Sequence, residues 1–565
     1  MAQTRILLEL DLTGGLLEAP PADPLAAWRA RLTPSLPGVL RRLREARERP
    51  EVVGLIAHVG GDGIEPSQAE ELGAAVEAFA AAGKPTVCWT EAFGETGNGT
   101  VDYHLAAHFD EIWVQPSGGL GLVGFASQGL FLRRVLDRVG VEPQIHARHE
   151  YKNAPDMFRR ESMSDAQREA LQALTDGLTA SVVATVARRR SLTPEQVREA
   201  IAAAPLTAEG ARERGLVDRL GYRDEAYAAL RERIGDDAEL RYVHRWAPPR
   251  GAELEKRLKR ELPRRLGRAA KPDTIAVVPV VGGIMLGRNG ASPLMGRTAG
   301  SDTICSALRA AGEDERVAAV VLRVVSPGGS YTASDAIHRE VLRLRGQGRP
   351  VVATMGGVAA SGGYFVAMGA DEIFALPSTV TGSIGVFAGK MVVAAAQEKV
   401  GVGREIVATG ERASMWSPGR PFTDDEVAWL DRWLDDVYAD FTQKAADGRG
   451  MPVEQLEPLA RGRVWTGADA RERGLVDELG NLEAALRSAA RRAGLSLADA
   501  EVVGFPRVSP MAYLRPPANS DAPGASIALP GDRLLAGLDA PEALLSRVGA
   551  RFGLAPGALR LPYFS

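Results

Sequence analysis

Apolar and polar positions in the first half of the chain alternate between two periods. Short apolar runs at residues 6–10, 52–59 and 86–89 predict buried strands, because strands covered on both faces are almost continuously apolar. Amphipathic segments at 37–47 and 67–82 lie between these runs and predict helices. Strands that alternate with helices are typical of βαβ units, so we expect an α/β fold with a parallel sheet.

The second half repeats this order of elements. Strands are predicted at 275–280, 317–325 and 351–354, with helices at 301–311 and 334–345. In both halves a further helix, a short strand that begins with the letters DEI and a long helical region complete the pattern.

Direct sequence similarity indicates that the two halves are copies of one domain. The segment ARERGLVD occurs at 211–218 and again at 470–477. FDEIWVQPSGGLGLVGF at 109–125 corresponds to ADEIFALPSTVTGSIGV at 370–386. A period this long, with the elements in one order, indicates an internal duplication rather than a solenoid.

The duplication sets the domain boundaries that we predict. The chain has 565 residues, more than one core usually supports. We expect an N-terminal domain at 1–239, a basic linker at 240–272, a C-terminal domain at 273–505 and a Pro/Ala-rich tail at 506–565. The linker contains a strongly basic run at 256–271. Such a run predicts either a solvated connector or a helix that contacts an anionic membrane.

Composition and charge exclude several classes of function. The balance of 68 basic and 72 acidic residues gives a net charge of −4 and no basic field for nucleic acid. Two cysteines and seven scattered histidines without an HExxH motif predict neither a zinc site nor any other metal site, and we expect no cofactor. No run reaches the ~18 apolar residues of a membrane helix. The N-terminus lacks signal-peptide features, so we expect a cytoplasmic or peripheral membrane location.

Candidate chemistry lies where the two halves differ. The second half carries SPGG at 326–329 after a predicted strand, a turn that leaves amide N–H groups free for an oxyanion. It also carries Ser361 in an ASGG motif, where a helix start would place the serine beside the Gly362 N–H. The first half has Thr100 at the position of Ser361 and lacks both motifs. We therefore predict one active half and one degenerate half.

A serine nucleophile needs a base, and lysine is the informative residue type in this chain. Only eight of the 68 basic residues are lysines, and arginine cannot be deprotonated in a protein. Lys84 aligns with an arginine, and most others lie in the linker or in charged helical segments. Lys152 and Lys390 remain, with His338 as the histidine nearest the glycine motifs. Lys152 has no lysine counterpart in the second half, which favours it, but Lys390 stays a rival.

These motifs resemble those of the signal peptide peptidase SppA family, or protease IV, in its long duplicated form. SPGGSYTAS, GGVAASGGYF and PSTVTGSIGVF carry the resemblance in the second half, and YKNAPDMF followed by MSDAQREA resembles the family's lysine motif. The resemblance implies two tandem ClpP/crotonase-like domains of the ββα-superhelix fold. It also implies a serine peptidase with a Ser/Lys dyad.

The family resemblance assigns roles to individual residues. It implies Ser361 as the nucleophile, Lys152 as the general base and Ser383 as a residue that holds the lysine. It also implies that Gly362 and Gly329 supply oxyanion N–H groups. The implied substrates are short apolar peptides such as released signal peptides. The implied assembly is a ring-like homo-oligomer, a homotetramer, in a family that is usually membrane-anchored.

Two other classes of function compete with a peptidase. A crotonase-like acyl-CoA hydrolase or hydratase would share the glycine-rich oxyanion hole, but it would need a carboxylate near the helix start, and GGVAASGGY has none. A non-catalytic oligomeric scaffold would not require the serine and the lysine to lie in complementary halves.

Overall fold

Most of both halves is described by a computed structural model. The described residues are 4–18, 33–61, 63–95, 97–248, 272–292 and 296–505. The predicted basic run at 256–271 and the predicted tail at 506–565 lie outside them.

A six-stranded parallel sheet with the strand order β8-β4-β3-β2-β1-β9 forms the core of the first half. The strands of this half are β1 (Ile6–Asp11), β2 (Val52–His58), β3 (Thr86–Thr90), β4 (Glu111–Val114), β5 (Gly119–Leu120), β6 (Glu142–Ala147), β7 (Leu206–Thr207), β8 (Arg219–Leu220) and β9 (Glu239–Tyr242). Its helices are α1 (Leu36–Arg47), α2 (Pro66–Ala80), α3 (Thr100–Ala106), α4 (Arg133–Val139), α5 (Asp156–Arg159), α6 (Asp165–Arg190), α7 (Pro194–Ala203), α8 (Ala208–Glu213) and α9 (Arg223–Ile234). Helices pack on the sheet, and the α/β prediction is confirmed.

An eight-stranded sheet forms the core of the second half, with the order β19-β17-β15-β14-β10-β21 and with β16 pairing β15 and β20. The strands are β10 (Thr274–Val281), β11 (Gly283–Met285), β12 (Gly290–Ser292), β13 (Gly296–Gly300), β14 (Val317–Ser326), β15 (Val351–Ala360), β16 (Glu372–Ala375), β17 (Val380–Gly382), β18 (Phe387–Val392), β19 (Val464–Thr466), β20 (Glu478–Leu479) and β21 (Glu501–Gly504). The helices are α10 (Ser301–Glu313), α11 (Tyr331–Gly346), α12 (Gly362–Ala367), α13 (Ala394–Lys399), α14 (Asp424–Arg449), α15 (Val453–Leu456), α16 (Gly467–Glu472) and α17 (Leu482–Arg492), with a 3₁₀ turn at Glu457–Leu459.

The duplication is visible in individual hydrogen bonds. In the first half the buried Tyr103 hydroxyl donates to the Leu216 carbonyl at 2.7 Å, and in the second half Tyr364 donates to the Leu475 carbonyl at 2.9 Å. Both carbonyls lie in the two ARERGLVD segments. The same local contact therefore occurs in each copy, between corresponding elements.

The lysine at position 84 also has a structural counterpart. Lys84 Nζ donates to two carbonyl groups at and beyond the end of α1. Arg349 donates to carbonyl groups at and beyond the end of α10 in the same way. Either cation satisfies the free carbonyls of a helix end, so Lys84 has a structural role.

Strand β15 is longer than the sequence pattern predicts. The predicted strand ended at residue 354, but β15 continues to Ala360, because its second part pairs with β17 after a register shift relative to β14. The predicted strand stops early because glycines interrupt the apolar pattern. Close packing requires them, since a Cβ atom on Gly356 would lie 2.7 Å from Val325 Cγ2.

The first half extends beyond its predicted end at residue 239. Strand β9 pairs with β1 in the parallel sheet, and Trp246 is buried in the same core. The first part of the predicted linker therefore packs with the first half. The remaining domain boundaries stay predictions.

Strands and helices of the two halves pair and pack against each other. Strand β6 of the first half pairs antiparallel with β18 of the second. Helix α6 packs Ala170, Leu171 and Leu174 against Val464 of β19. Among the described helices, α6 is the one long and apolar enough to cross a membrane by length and composition, and a third of its most apolar window is buried in the protein. Core helices pass the same test, and α6 also places Val182, Val183 and Val186 in the core of the first half.

Buried charges also join the halves. Arg323 on β14 donates to both carboxylate oxygens of Glu71 on α2, at 3.2 and 2.6 Å, and to Glu18 at 2.8 Å. Beside this pair, Glu70 accepts hydrogen bonds from the Ser378 amide and hydroxyl. Removing Arg323 would leave the buried Glu71 carboxylate without its cation, and an unpaired buried charge generally costs about 3–5 kcal/mol. These contacts fix one arrangement of the halves and, with it, the position of any site between them.

Candidate active site

Ser361 lies at the junction of β15 and α12. Its main-chain angles are φ 54° and ψ −120°, and its amide donates to the Gly382 carbonyl at 2.8 Å. A positive φ is uncommon for a residue other than glycine and is often found where a side chain is held for function. The turn places the serine between a buried strand and a helix N-terminus, as the ASGG motif predicts.

Lys152 reaches Ser361 from the other half of the chain. Its Nζ atom lies 3.1 Å from Ser361 Oγ, 3.0 Å from Ser383 Oγ and 3.0 Å from the Ser383 carbonyl oxygen. The lysine is 5% exposed. Burial lowers the pKa of Lys152 from its usual value to about 7, because desolvation disfavours the charged form. A large share of the lysine is therefore neutral near pH 7.

Glycines of the second half allow the segment that carries Lys152 to approach closely. Gly462 has a φ of 81°, and a Cβ atom there would lie 2.6 Å from the Lys152 amide nitrogen. A Cβ atom on Gly385 would lie 3.3 Å from the Lys152 side chain. Ser383 is held nearby because its amide donates to the Arg463 carbonyl at 2.6 Å. The lysine and its serine partner are thus positioned by one short segment.

Two amide groups lie side by side next to the serine. Ile284 donates its amide to the Gly328 carbonyl and accepts from the Ser330 amide, both at 2.8 Å. This parallel bridge leaves the Gly329 N–H on the opposite side of the chain. As the first residue of α12, Gly362 has no acceptor for its N–H within the helix. A Cβ atom on Gly362 would lie 3.2 Å from the Gly329 nitrogen, so the two backbone segments lie in close contact.

The rival bases lie in other surroundings. Lys390 Nζ donates to the Met415 carbonyl at 2.6 Å and lies 4.1 Å from the centre of the Phe422 ring. His338 packs edge-on against Phe365, and burial lowers its pKa to about 4. Neither forms a hydrogen bond with the serine in the described part of the chain. Among the described residues, no group of three or more His, Cys, Asp or Glu side chains is arranged to hold a metal ion.

Comparison with known proteins decides the family. The sequence matches Peptidase family S49 over residues 78–235 and 343–496. The chain belongs to family S49. As an S49 member it is a serine peptidase, and the two matched segments lie in the two halves of the duplicated chain.

Named relatives of this S49 peptidase cover most of its length. Serine protease SPPA, chloroplastic, from Arabidopsis thaliana is 31% identical over 82% of this chain and 66% of its own length. Protease 4 from Salmonella typhi is 32% identical over 82% of this chain and 72% of its own length. A solved structure, the ClpP1 N165D mutant from Listeria monocytogenes, is 14% identical, covers 40% of this chain and 98% of its own, and has a TM-score of 0.24, too low to establish a shared fold.

The sequence reasoning missed the residues of the S49 peptidase that support Lys152. Gly462 contacts the lysine backbone, and Arg463 contacts Tyr151 next to the lysine. The repeat held a signal for both. With the two ARERGLVD segments aligned, Gly462 and Arg463 correspond to Ala203 and Ala204 of the degenerate half. This difference resembles the one between Ser361 and its threonine counterpart.

Proposed function

We propose that this S49 peptidase cleaves short apolar peptides, such as released signal peptides, through a Ser/Lys dyad. Ser361 is the nucleophile and Lys152 is the general base. The observation that carries the proposal is the 3.1 Å contact between Lys152 Nζ and Ser361 Oγ, in a buried site where the pKa of the lysine is lowered to about 7. A base with a pKa near the working pH is well matched to proton transfer.

Acylation begins when Ser361 Oγ attacks the peptide carbonyl carbon and its proton passes to neutral Lys152. The carbonyl oxygen becomes an oxyanion that accepts hydrogen bonds from the N–H groups of Gly362 and Gly329. The C–N bond then breaks, Lys152 donates the proton to the leaving amine, and the acyl group remains as an ester on Oγ. Water attacks this ester, Lys152 takes a proton from the water, and Ser361 leaves with that proton.

Ser383 orients the neutral amine of Lys152 by accepting hydrogen bonds from it. Its carbonyl and hydroxyl oxygens each lie 3.0 Å from Lys152 Nζ. Two amine N–H groups can donate to these two oxygens, which leaves the nitrogen lone pair for the Ser361 hydroxyl proton. Ser383 therefore supports the base without taking part in bond making.

Substrate and assembly follow the same proposal. We propose that each half has the ClpP/crotonase-like ββα fold and that a peptide binds in extended form along a strand edge. We also propose that the chain forms a homotetramer. Exposed apolar side chains support association: Val135 and Val139 lie on α4, Val400, Ile406 and Val407 follow α13, and Lys399 of α13 donates to the Arg138 carbonyl of α4. Exposed apolar patches are typical of interaction surfaces.

The pH dependence of peptide hydrolysis tests the base. We expect kcat/KM for a fluorogenic apolar peptide to rise about tenfold per pH unit on the acid side and to level off above about pH 7. The reason is that only neutral Lys152 accepts the proton, and its pKa is lowered to about 7. The measurement is a pH profile of kcat/KM for the wild type and for His338→Gln.

The histidine variant serves as the control. The pKa of His338 is lowered to about 4, so a histidine base would place the limb well below that of the lysine. The kcat/KM profile of His338→Gln should have its acid limb at the same pH as that of the wild type. Loss of the limb and of activity in this variant would refute the lysine base. Turnover of an acyl-CoA thioester without any peptide cleavage would refute the peptidase proposal and favour a crotonase-like hydrolase.

A further inference from the structure

The residue before the lysine is held by a polar cluster that the mechanism does not use. The Tyr151 hydroxyl donates to Glu169 Oε2 at 2.7 Å and accepts from Arg463 Nη1 at 3.1 Å. The Arg463 guanidinium lies 4.8 Å from the centre of the Tyr151 ring and 4.4 Å from that of Trp465. It also forms an ion pair with Glu169 at 2.9 Å. Arg463, which directly precedes β19, therefore holds the segment that carries Tyr151 and Lys152 by hydrogen bonding and by stacking.

The backbone of Arg463 contacts the other side of the same site. Its carbonyl accepts the Ser383 amide at 2.6 Å, and Ser383 in turn contacts Lys152 Nζ through two oxygens. The preceding residue, Gly462, packs on the Lys152 backbone. One residue thus links Ser383 through its main chain and Tyr151 through its side chain.

We propose that Arg463 is a positioning residue for the dyad: by holding Tyr151, it fixes the loop of the first half so that Lys152 Nζ lies between Ser361 and Ser383. This inference rests on the proposed function, in which Lys152 is the base. The lysine lies in a segment without regular structure between β6 and α5, so its position depends on contacts such as these. Misplacing a reacting group by about 1 Å can cost on the order of 10²-fold in rate.

The chemistry of the contact favours arginine over lysine. Arginine is planar, stacks on aromatic rings and donates several hydrogen bonds in a fixed fork. The side chain of Arg463 is 18% exposed, whereas that of its partner Glu169 is 55% exposed, so the contacts of Arg463 with the Tyr151 and Trp465 rings are its more shielded contacts. Without it, the loop would admit water to Lys152, and the pKa of Lys152 would move up toward its usual range.

Arg461 offers a matched control in the same segment. It forms ion pairs with Glu150 and Glu457, at 3.1 and 2.9 Å, and its side chain is 41% exposed. Exposed ion pairs of this kind contribute little. An arginine that contacts the same loop from the surface should therefore be dispensable.

The experiment measures kcat, KM and the pH profile of peptide hydrolysis for Arg463→Ala, Arg463→Lys, Tyr151→Phe and Arg461→Ala in the full chain. We expect Arg463→Ala to lower kcat at pH 7 by about 30-fold, within the range for a misplaced group, with KM changed less than about twofold. The acid limb of the kcat/KM profile should shift to higher pH by about one unit, since contact with water stabilises the charged form of Lys152. Arg463→Lys should not rescue the limb, and Tyr151→Phe should move it in the same direction by less. Arg461→Ala should match the wild type.

The outcomes separate this inference from the proposed function. If Arg463→Ala and Tyr151→Phe both keep the limb of the wild type, or if Arg463→Lys restores it fully, Arg463 is not a positioning residue. Tyr151→Phe decides the question if Arg463→Ala does not fold. Lys152→Met is measured beside them. Activity in Lys152→Met would refute the proposed function itself, whereas an inactive Lys152→Met with an unshifted Arg463→Ala would refute the inference alone.

Discussion

Replacing Ser361 with alanine is expected to reduce kcat for an apolar fluorogenic peptide by at least about 10⁴-fold, as loss of a nucleophile does in other serine peptidases. The substitution removes one oxygen atom from a junction that is otherwise fixed by main-chain contacts. The Ser361 amide still donates to the Gly382 carbonyl, and α12 still begins at the next residue. Activity should therefore be lost while the fold is kept.

Stability measurements must accompany this variant. We expect the circular dichroism spectrum of Ser361→Ala to match that of the wild type and its melting temperature to change by only a few degrees. Ser496→Ala is a matched control, because Ser496 is an exposed serine in the loop after α17, and it should keep full activity. A Ser361→Ala protein that cleaves the peptide at more than about a tenth of the wild-type rate would show that another residue is the nucleophile.

The second large effect concerns the lysine. We expect Lys152→Arg to be nearly as inactive as Lys152→Ala, with kcat lowered by at least about 10³-fold. Arginine keeps the positive charge but cannot accept a proton in a protein. Its larger head group would also have to fit a site where the lysine amine lies 3.0–3.1 Å from three oxygen atoms. The comparison is made from kcat at the pH optimum of the wild type.

Lys390→Arg is the control that separates the two candidate bases. Lys390 donates to one carbonyl group and lies over the Phe422 ring, and arginine can make both contacts. This variant should keep at least about half of the wild-type activity. An inactive Lys390→Arg together with an active Lys152→Arg would show that the base is Lys390 of the second half and that the assignment to Lys152 is wrong.

Much of the architecture could be predicted because both halves carry the same strong patterns. The apolar runs of β2 and β14 are long, and the repeated ARERGLVD segments mark equivalent positions. The end of β15 could not be predicted in this way. Its second part contains glycine and alanine in place of large apolar residues, and its pairing with β17 depends on residues that come later in the chain.

The residues of the candidate site could be predicted in part. The difference between the two halves pointed to Ser361 and favoured Lys152, but spacing could not place the lysine, because 209 residues separate it from the serine. Pairing of β6 with β18 brings the two halves together at this point. The contact of Arg463 with Tyr151 joins residues that are 312 positions apart, so neither residue stands out from local sequence alone.

The central claim is that Lys152 activates Ser361, and labelling with a fluorophosphonate tests it most directly. The rate of labelling is measured between pH 5 and 9 for the wild type and for Lys152→Met, and peptide mass spectrometry locates the adduct. The account predicts an adduct on Ser361 alone, a wild-type rate that rises with pH and levels off above about pH 7, in line with the lowered pKa of Lys152, and almost no labelling of Lys152→Met. An adduct on another residue, or equally fast labelling of Lys152→Met, would contradict it.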